Sequence, residues 1–155
     1  MSAAPTTAVR LQTTDDTVAF GRRLGQVLRA GDLVVLTGPL GAGKTTLTRG
    51  IGAGLGARGP VLSPTFVIAR VHRGGRAPLV HLDAYRLRSL AEVEDLDLDL
   101  DVAESVLVVE WGAGLVEQLV DAWLEVRIER AEDSDMRTVQ LLPHGGDWAQ
   151  RVVAL

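Results

Sequence analysis

The sequence predicts a single α/β domain over residues 1–155, with residues 1–8 flexible. It is built on a mostly parallel central sheet, with helices on both faces and added antiparallel strands. Three observations carry that expectation. Short apolar runs broken by Gly, Pro and charge alternate with stretches of helical periodicity. One run, Val106-Leu107-Val108-Val109, is apolar throughout and rich in β-branched residues, as a strand buried on both faces requires. A glycine-rich segment, Gly38 to Gly43, separates an apolar run from a helical pattern.

Taken in order, Val9-Arg10-Leu11 alternates as a first strand. Phe20, Leu24, Val27 and Leu28 recur at helical spacing; Thr13 with Asp16 three residues on predicts a capping-box start, and Gly31 a stop. Leu33 to Thr37 is the next strand. Leu47, Ile51 and Leu55 predict a second helix, which Gly50, Gly52 and Gly54 should weaken locally. Phe66 to Val71 and Leu79 to Leu82 read as a hairpin around Arg73-Gly74-Gly75-Arg76. After the central strand at 106–109, Leu124 to Ile128 and Thr138 to Leu142 flank the polar turn Glu132 to Asp135, and Asp147 to Leu155 closes the chain as a short helix.

Composition removes several functions. A chain of 155 residues, 46% hydrophobic and 23% charged, makes one ordinary domain. No apolar run approaches the roughly 18 needed to span a bilayer, and Met1 to Val9 has no secretory signal pattern, so a cytoplasmic location away from membranes is expected. With no cysteine, and with His72, His81 and His144 scattered, thiol and zinc chemistry fall away. A net charge of −4 offers no general attraction for nucleic acid, which argues against DNA binding and against tight direct contact with RNA. Within that sum the 16 basic residues are 15 arginines and one lysine, Lys44.

That lysine lies in Gly38-Pro39-Leu40-Gly41-Ala42-Gly43-Lys44-Thr45, which satisfies G-x-x-x-x-G-K-[ST], the phosphate-binding loop of P-loop NTPases. Here the backbone N–H groups of Gly41, Ala42, Gly43, Lys44, Thr45 and Thr46 can approach phosphates, and the following helix adds its dipole. A compact ammonium fits between phosphate oxygens where a planar guanidinium does not, which accounts for lysine at this one position. Thr45 is placed to give its hydroxyl to Mg2+ beside ATP. Two strand-end acids, Asp83 after Leu79-Val80-His81-Leu82 and Glu110 after Val106 to Val109, are candidates for a second metal anchor and for ordering the attacking water. His81 reads as a structural histidine.

The loop, then Ser63-Pro64-Thr65-Phe66, His81-Leu82-Asp83-Ala84-Tyr85-Arg86-Leu87 and Val109-Glu110-Trp111, stand in an order that resembles the TsaE (YjeE) family. The resemblance covers residues 38 to 111, with weaker similarity on either side. It implies an ATP-hydrolysing subunit of the bacterial machinery that installs threonylcarbamoyladenosine on tRNA, slow alone and acting through TsaD and TsaB, with tRNA touched only indirectly. It implies ATP and Mg2+ as cofactors. Thr45, Asp83 and Glu110 would be the magnesium positions, with Glu110, Asp83 and Lys44 catalytic. Thr65 would lie in a switch-like loop near the γ-phosphate and Trp111 close to the nucleotide. Pro39, Ala84 and Asp97 depart from the family's usual residues. The first two supply no required N–H or carboxylate; the third bears on the shape of the segment after residue 90.

That segment, Glu92 to Glu104, sets Asp95, Asp97, Asp99 and Asp101 between leucines. A calcium loop starting at Asp97 needs glycine and glutamate where Val102 and Val108 stand, so a solvated acidic face and a docking surface remain. Of the arginines at 70, 73, 76, 86 and 88, Arg86 is best placed to feel phosphates. A small-molecule kinase is the alternative reading, and a nucleotide-dependent interaction module a third. GTPases are excluded because their guanine-reading motif needs a second lysine.

Overall fold

A computed structural model describes residues 7–39, 41–58, 69–83, 104–110, 120–153 and 155. Seven strands form one sheet: β1 (Thr7–Leu11), β2 (Leu33–Thr37), β3 (Ala69–His72), β4 (Leu79–Asp83), β5 (Val106–Glu110), β6 (Trp123–Arg130) and β7 (Arg137–His144). The described helices are α1 (Thr14–Val27), α2 (Lys44–Leu55) and α3 (Trp148–Val153). The spatial order is β1-β7-β6-β2-β5-β4-β3. Strands β6, β2, β5 and β4 run parallel at the centre, and the outer pairings β1·β7, β7·β6 and β3·β4 are antiparallel. The expected α/β architecture is therefore present, and Thr7 and Ala8, expected to be flexible, open β1.

Burial explains which strands read as continuous apolar runs. Val106 to Glu110 is buried at every position, and β2 at all but Thr37, because both faces of these strands are covered. Strands β6 and β7 instead alternate buried with more exposed positions, the period-2 signature of a strand half in solvent. On one face Val34, Leu36, Val106, Val108, Leu124, Val126 and Ile128 join a core with Phe20 and Leu24 of α1, Leu47 and Ile51 of α2, and Trp148 and Val152 of α3. On the other, Leu33, Val35, Val80, Leu82, Leu107 and Val109 are each no more than 5% exposed. The described helices all belong to the first face, and what covers the second lies outside the described residues.

The start of α1 is as expected. The Thr13 side chain accepts from Asp16 N–H at 3.1 Å and the Asp16 carboxylate accepts from Thr13 N–H at 3.2 Å, a reciprocal capping box. Its end is not at Gly31. The helix stops at Val27, with Leu28 extended, because two polar groups compete for the next helical bond. Asp32 Oδ2 accepts from Arg29 N–H at 2.7 Å, and the Gly25 carbonyl, which would have accepted that N–H, is taken by Arg76 Nη2. Gly31, at φ 94°, instead makes the turn that lets its N–H reach Ser105 O at 2.8 Å.

The glycines of α2 also carry a different meaning from the one expected. A Cβ built at Gly50 or Gly54 would lie 2.3 or 2.2 Å from a carbonyl oxygen of α1, and one at Gly21 or Gly25 would lie 2.4 Å from a carbonyl of α2. The two helices thus approach backbone to backbone. Each glycine costs about 1 kcal/mol of helix propensity. Burying the flanking Phe20, Leu24, Leu47, Ile51 and Leu55, each no more than 1% exposed, returns about 1.5–3 kcal/mol apiece. This close pairing fixes the start of α2, and so the loop before it, against the sheet.

Candidate functional site

The glycine-rich loop leaves the carboxyl end of β2, the middle strand, and delivers the chain to the first turn of α2. Gly41 and Gly43 adopt φ of 80° and 109°, left-handed conformations that favour glycine, and Ala42 N–H closes a turn on Pro39 O at 3.1 Å. Gly38 meets a different constraint: a Cβ there would lie 2.4 Å from Ile128 O, so the loop is seated directly on β6. In contrast to α1, the N-cap of α2 is Gly43, with no side-chain capping bond. With no side-chain cap, the positive end of the helix dipole at this start favours an anion.

Lys44 folds back over the loop, 5% exposed, and donates from Nζ to Gly38 O at 2.7 Å. Burial holds its ammonium below the ordinary lysine range, opposed by attraction to Glu110 and then Asp83. Thr45 and Thr46 are half-buried in the same first turn, and Thr48 is buried, its hydroxyl donating to Lys44 O at 2.9 Å.

Strand register brings in the acids. Leu36 is level with Glu110 across β2·β5, and Asp83 is level with Glu110 across β4·β5. Since these strands are parallel, the loop, Glu110 and Asp83 line one carboxyl edge, where open α/β sheets bind ligands. Side chains level with each other in a pleated sheet share a face, so both carboxylates lie on the side that α2 covers. Expected residues Lys44, Thr45, Asp83 and Glu110 are therefore brought together. Thr65 and Trp111 lie outside the described residues, as do the Ser63 to Phe66 loop, Arg86 and the acidic segment from 92 to 103.

Two contacts at the site were not read from the sequence, where His81 had a structural role without a partner. His81, with no exposed surface, places Nε2 at 2.7 Å from Glu110 Oε2. A carboxylate oxygen only accepts, so His81 Nε2 donates here, and the bond fixes the carboxyl group's orientation. The signal for it was available: His81 is two residues before Asp83, hence on the same face, and β5 is the neighbouring strand. The second is Arg137 of β7, 9% exposed, which donates from Nε to Ala42 O at 2.7 Å. Only the antiparallel return of β7 carries it to the loop from 95 residues away.

A family model described as "Threonylcarbamoyl adenosine biosynthesis protein TsaE" matches residues 11–139. The chain belongs to the TsaE family. It is similar to the protein named tRNA threonylcarbamoyladenosine biosynthesis protein TsaE from Streptomyces coelicolor, 57% identical over 88% of this chain and 96% of that one. The protein of the same name from Mycobacterium leprae is 52% identical over 84% of this chain and 86% of that one. Among solved structures, that of YdiB from Bacillus subtilis superposes with a TM-score of 0.80 at 29% identity, covering 99% of this chain and 95% of the other. The matched range, 11–139, spans the positions of all four segments quoted from the sequence.

Proposed function

We propose that this TsaE-family chain is a Mg2+-dependent ATPase subunit in the biosynthesis of threonylcarbamoyladenosine on tRNA, acting in the cytoplasm through TsaD and TsaB and touching tRNA only through them. The observation that carries the reading is the register that sets Asp83 and Glu110 level with each other at the edge where the loop of Lys44 emerges. The names of the similar proteins supply the pathway.

The described residues fit ATP with Mg2+. No three His, Cys, Asp or Glu side chains among them cluster to hold a metal by themselves. Mg2+ does not ask for that: it is bound through one or two carboxylates, a hydroxyl and substrate phosphates. Thr45 with Asp83 or Glu110 would supply the protein's share, and the bound ion would neutralise charge on the phosphate oxygens. The N–H groups from Gly41 to Thr46 would hold the phosphates, and Lys44 would exchange its bond to Gly38 O for a terminal phosphate oxygen. Glu110, steadied by His81, is suited to orient the attacking water, while the more exposed Asp83 is suited to anchor the ion's shell. Thr65 and Trp111 complete the proposal on the family resemblance, as reporters of the γ-phosphate and as a contact to the nucleotide.

Calorimetric titration with ATP, with and without Mg2+, tests the first half. Metal-dependent binding that is absent in Lys44→Ala is expected, and equal binding by both proteins would refute the loop assignment. Reconstitution with purified TsaD, TsaB and unmodified tRNA tests the second: turnover should rise with the partners. A response to a small metabolite instead would favour the kinase.

A further inference from the structure

Arg137 is a buried cation that pairs with no carboxylate among the described residues. Its guanidinium donates from Nε to Ala42 O and from Nη1 to Asp135 O, each at 2.7 Å, and both acceptors are uncharged backbone carbonyls. The carboxylate of Asp135, two residues before Arg137, is turned to Arg130 at 3.4 Å instead. A buried guanidinium charge satisfied only by neutral dipoles is costly unless an opposite charge arrives. The opposite charge has an evident place to bind, because Ala42 lies inside the phosphate loop.

We propose that Arg137 is a positioning residue for that loop, holding it in its anion-binding shape and supplying from below a positive charge that bound nucleotide phosphate neutralises. The geometry follows from the planar peptide. In a trans peptide the C=O and the next N–H point in opposite directions, so pinning Ala42 O toward β7 turns Gly43 N–H away from β7, toward the loop's other side. Gly43 is fitted to the arrangement twice. Its φ of 109° favours glycine, and a Cβ there would lie 3.1 Å from Arg137 Nε and 3.4 Å from Ile128 Cδ1. An uncapped helix start, a left-handed glycine and a buried guanidinium therefore converge on one peptide group.

The inference rests on the nucleotide reading, and its test separates the two. ADP and Mg-ATP are titrated into wild type, Arg137→Met and Arg137→Lys, with Lys44→Ala as control, and each protein is also melted without nucleotide. Arg137→Met should weaken ADP and ATP equally, by about tenfold or about 1.4 kcal/mol, since it removes one charge from beneath the phosphate site and the bond that shapes the loop. Its KM for ATP should rise by more than its kcat falls, and its nucleotide-free melting temperature should drop by no more than a few degrees, since without nucleotide it loses only two bonds to backbone carbonyls. Arg137→Lys, which keeps the charge and loses the fork, should bind between the two. Wild-type affinity in Arg137→Met overturns the proposal, as does an affinity loss accompanied by a nucleotide-free melting temperature far below that of wild type in both variants, the mark of a merely structural arginine. Wild type that binds no better than Lys44→Ala would overturn the nucleotide reading itself.

Discussion

Replacing Gly50 by alanine sets two effects of opposite sign against each other. Helix propensity alone says the change stabilises α2 by about 1 kcal/mol, since alanine is the best helix former and glycine among the worst. Packing says otherwise. The new methyl would lie 2.3 Å from Val18 O, 2.9 Å from Gly21 Cα and 3.0 Å from Arg22 N, all backbone atoms of α1 with no rotamer to give way. An ordinary carbon–oxygen contact needs about 1 Å more, so the helices must separate by a comparable amount and loosen Leu24, Leu47 and Ile51 between them. Overpacking costs about 1–3 kcal/mol, and with only backbone in the way the upper end applies. The net is a loss of about 2 kcal/mol, or about 4–8 °C in melting temperature for a chain of this size. Thermal melts followed by circular dichroism, with urea midpoints as a second measure, read it directly. Because α2 begins at Lys44, ADP affinity should weaken too. An unchanged or higher melting temperature for Gly50→Ala would refute the backbone-to-backbone approach of α1 and α2.

The remaining predictions concern the site and its support. Glu110→Gln should lower turnover by about a hundredfold or more while leaving ATP affinity within a few-fold, and His81→Ala should move turnover the same way by less. The double variant should be no worse than Glu110→Gln alone, because His81 acts through that carboxylate; additive losses in steady-state assays would deny the coupling. Lys44 bears a pH signature. Its folded-state value lies below 10.5, so between the two values the unfolded chain binds more protons, and wild type should gain stability relative to Lys44→Ala as pH rises from neutrality to 10.5. Melts of both proteins across that range check the slope. Asp32→Ala removes the closer of the two carboxylates paired with Arg151, a pair whose side chains are 10% and 11% exposed, and should cost about 3 kcal/mol, with nucleotide affinity unchanged because Asp32 precedes the opposite end of β2.

Much of the site was legible because its chemistry is local. The loop, its lysine and its threonine are consecutive, and their function depends on backbone conformations that glycine spacing advertises. Asp83 and Glu110 were identifiable as strand-end acids because each closes an apolar run. What the run could not say is which strands adjoin. Two acids at the ends of β4 and β5 meet only because those strands are parallel neighbours in register. Arg137 had no local signal at all, sitting at the start of an ordinary alternating strand.

The sequence by itself determined the α/β class, the alternation of elements, the capping box of Thr13 and Asp16, the phosphate loop and the family. All of these are set by neighbours within a few positions or by a motif short enough to read. Tertiary structure alone decided where α1 stops, because Arg76 takes the carbonyl of Gly25 from a distant turn. It decided the sign of the α2 glycines, which weaken an isolated helix yet permit this one to pack. It also decided the partners of Glu110 and Ala42. Each of these depends on a side chain or a surface far away in the chain, and chain periodicity carries information about which face a residue occupies, not about what will be folded against that face.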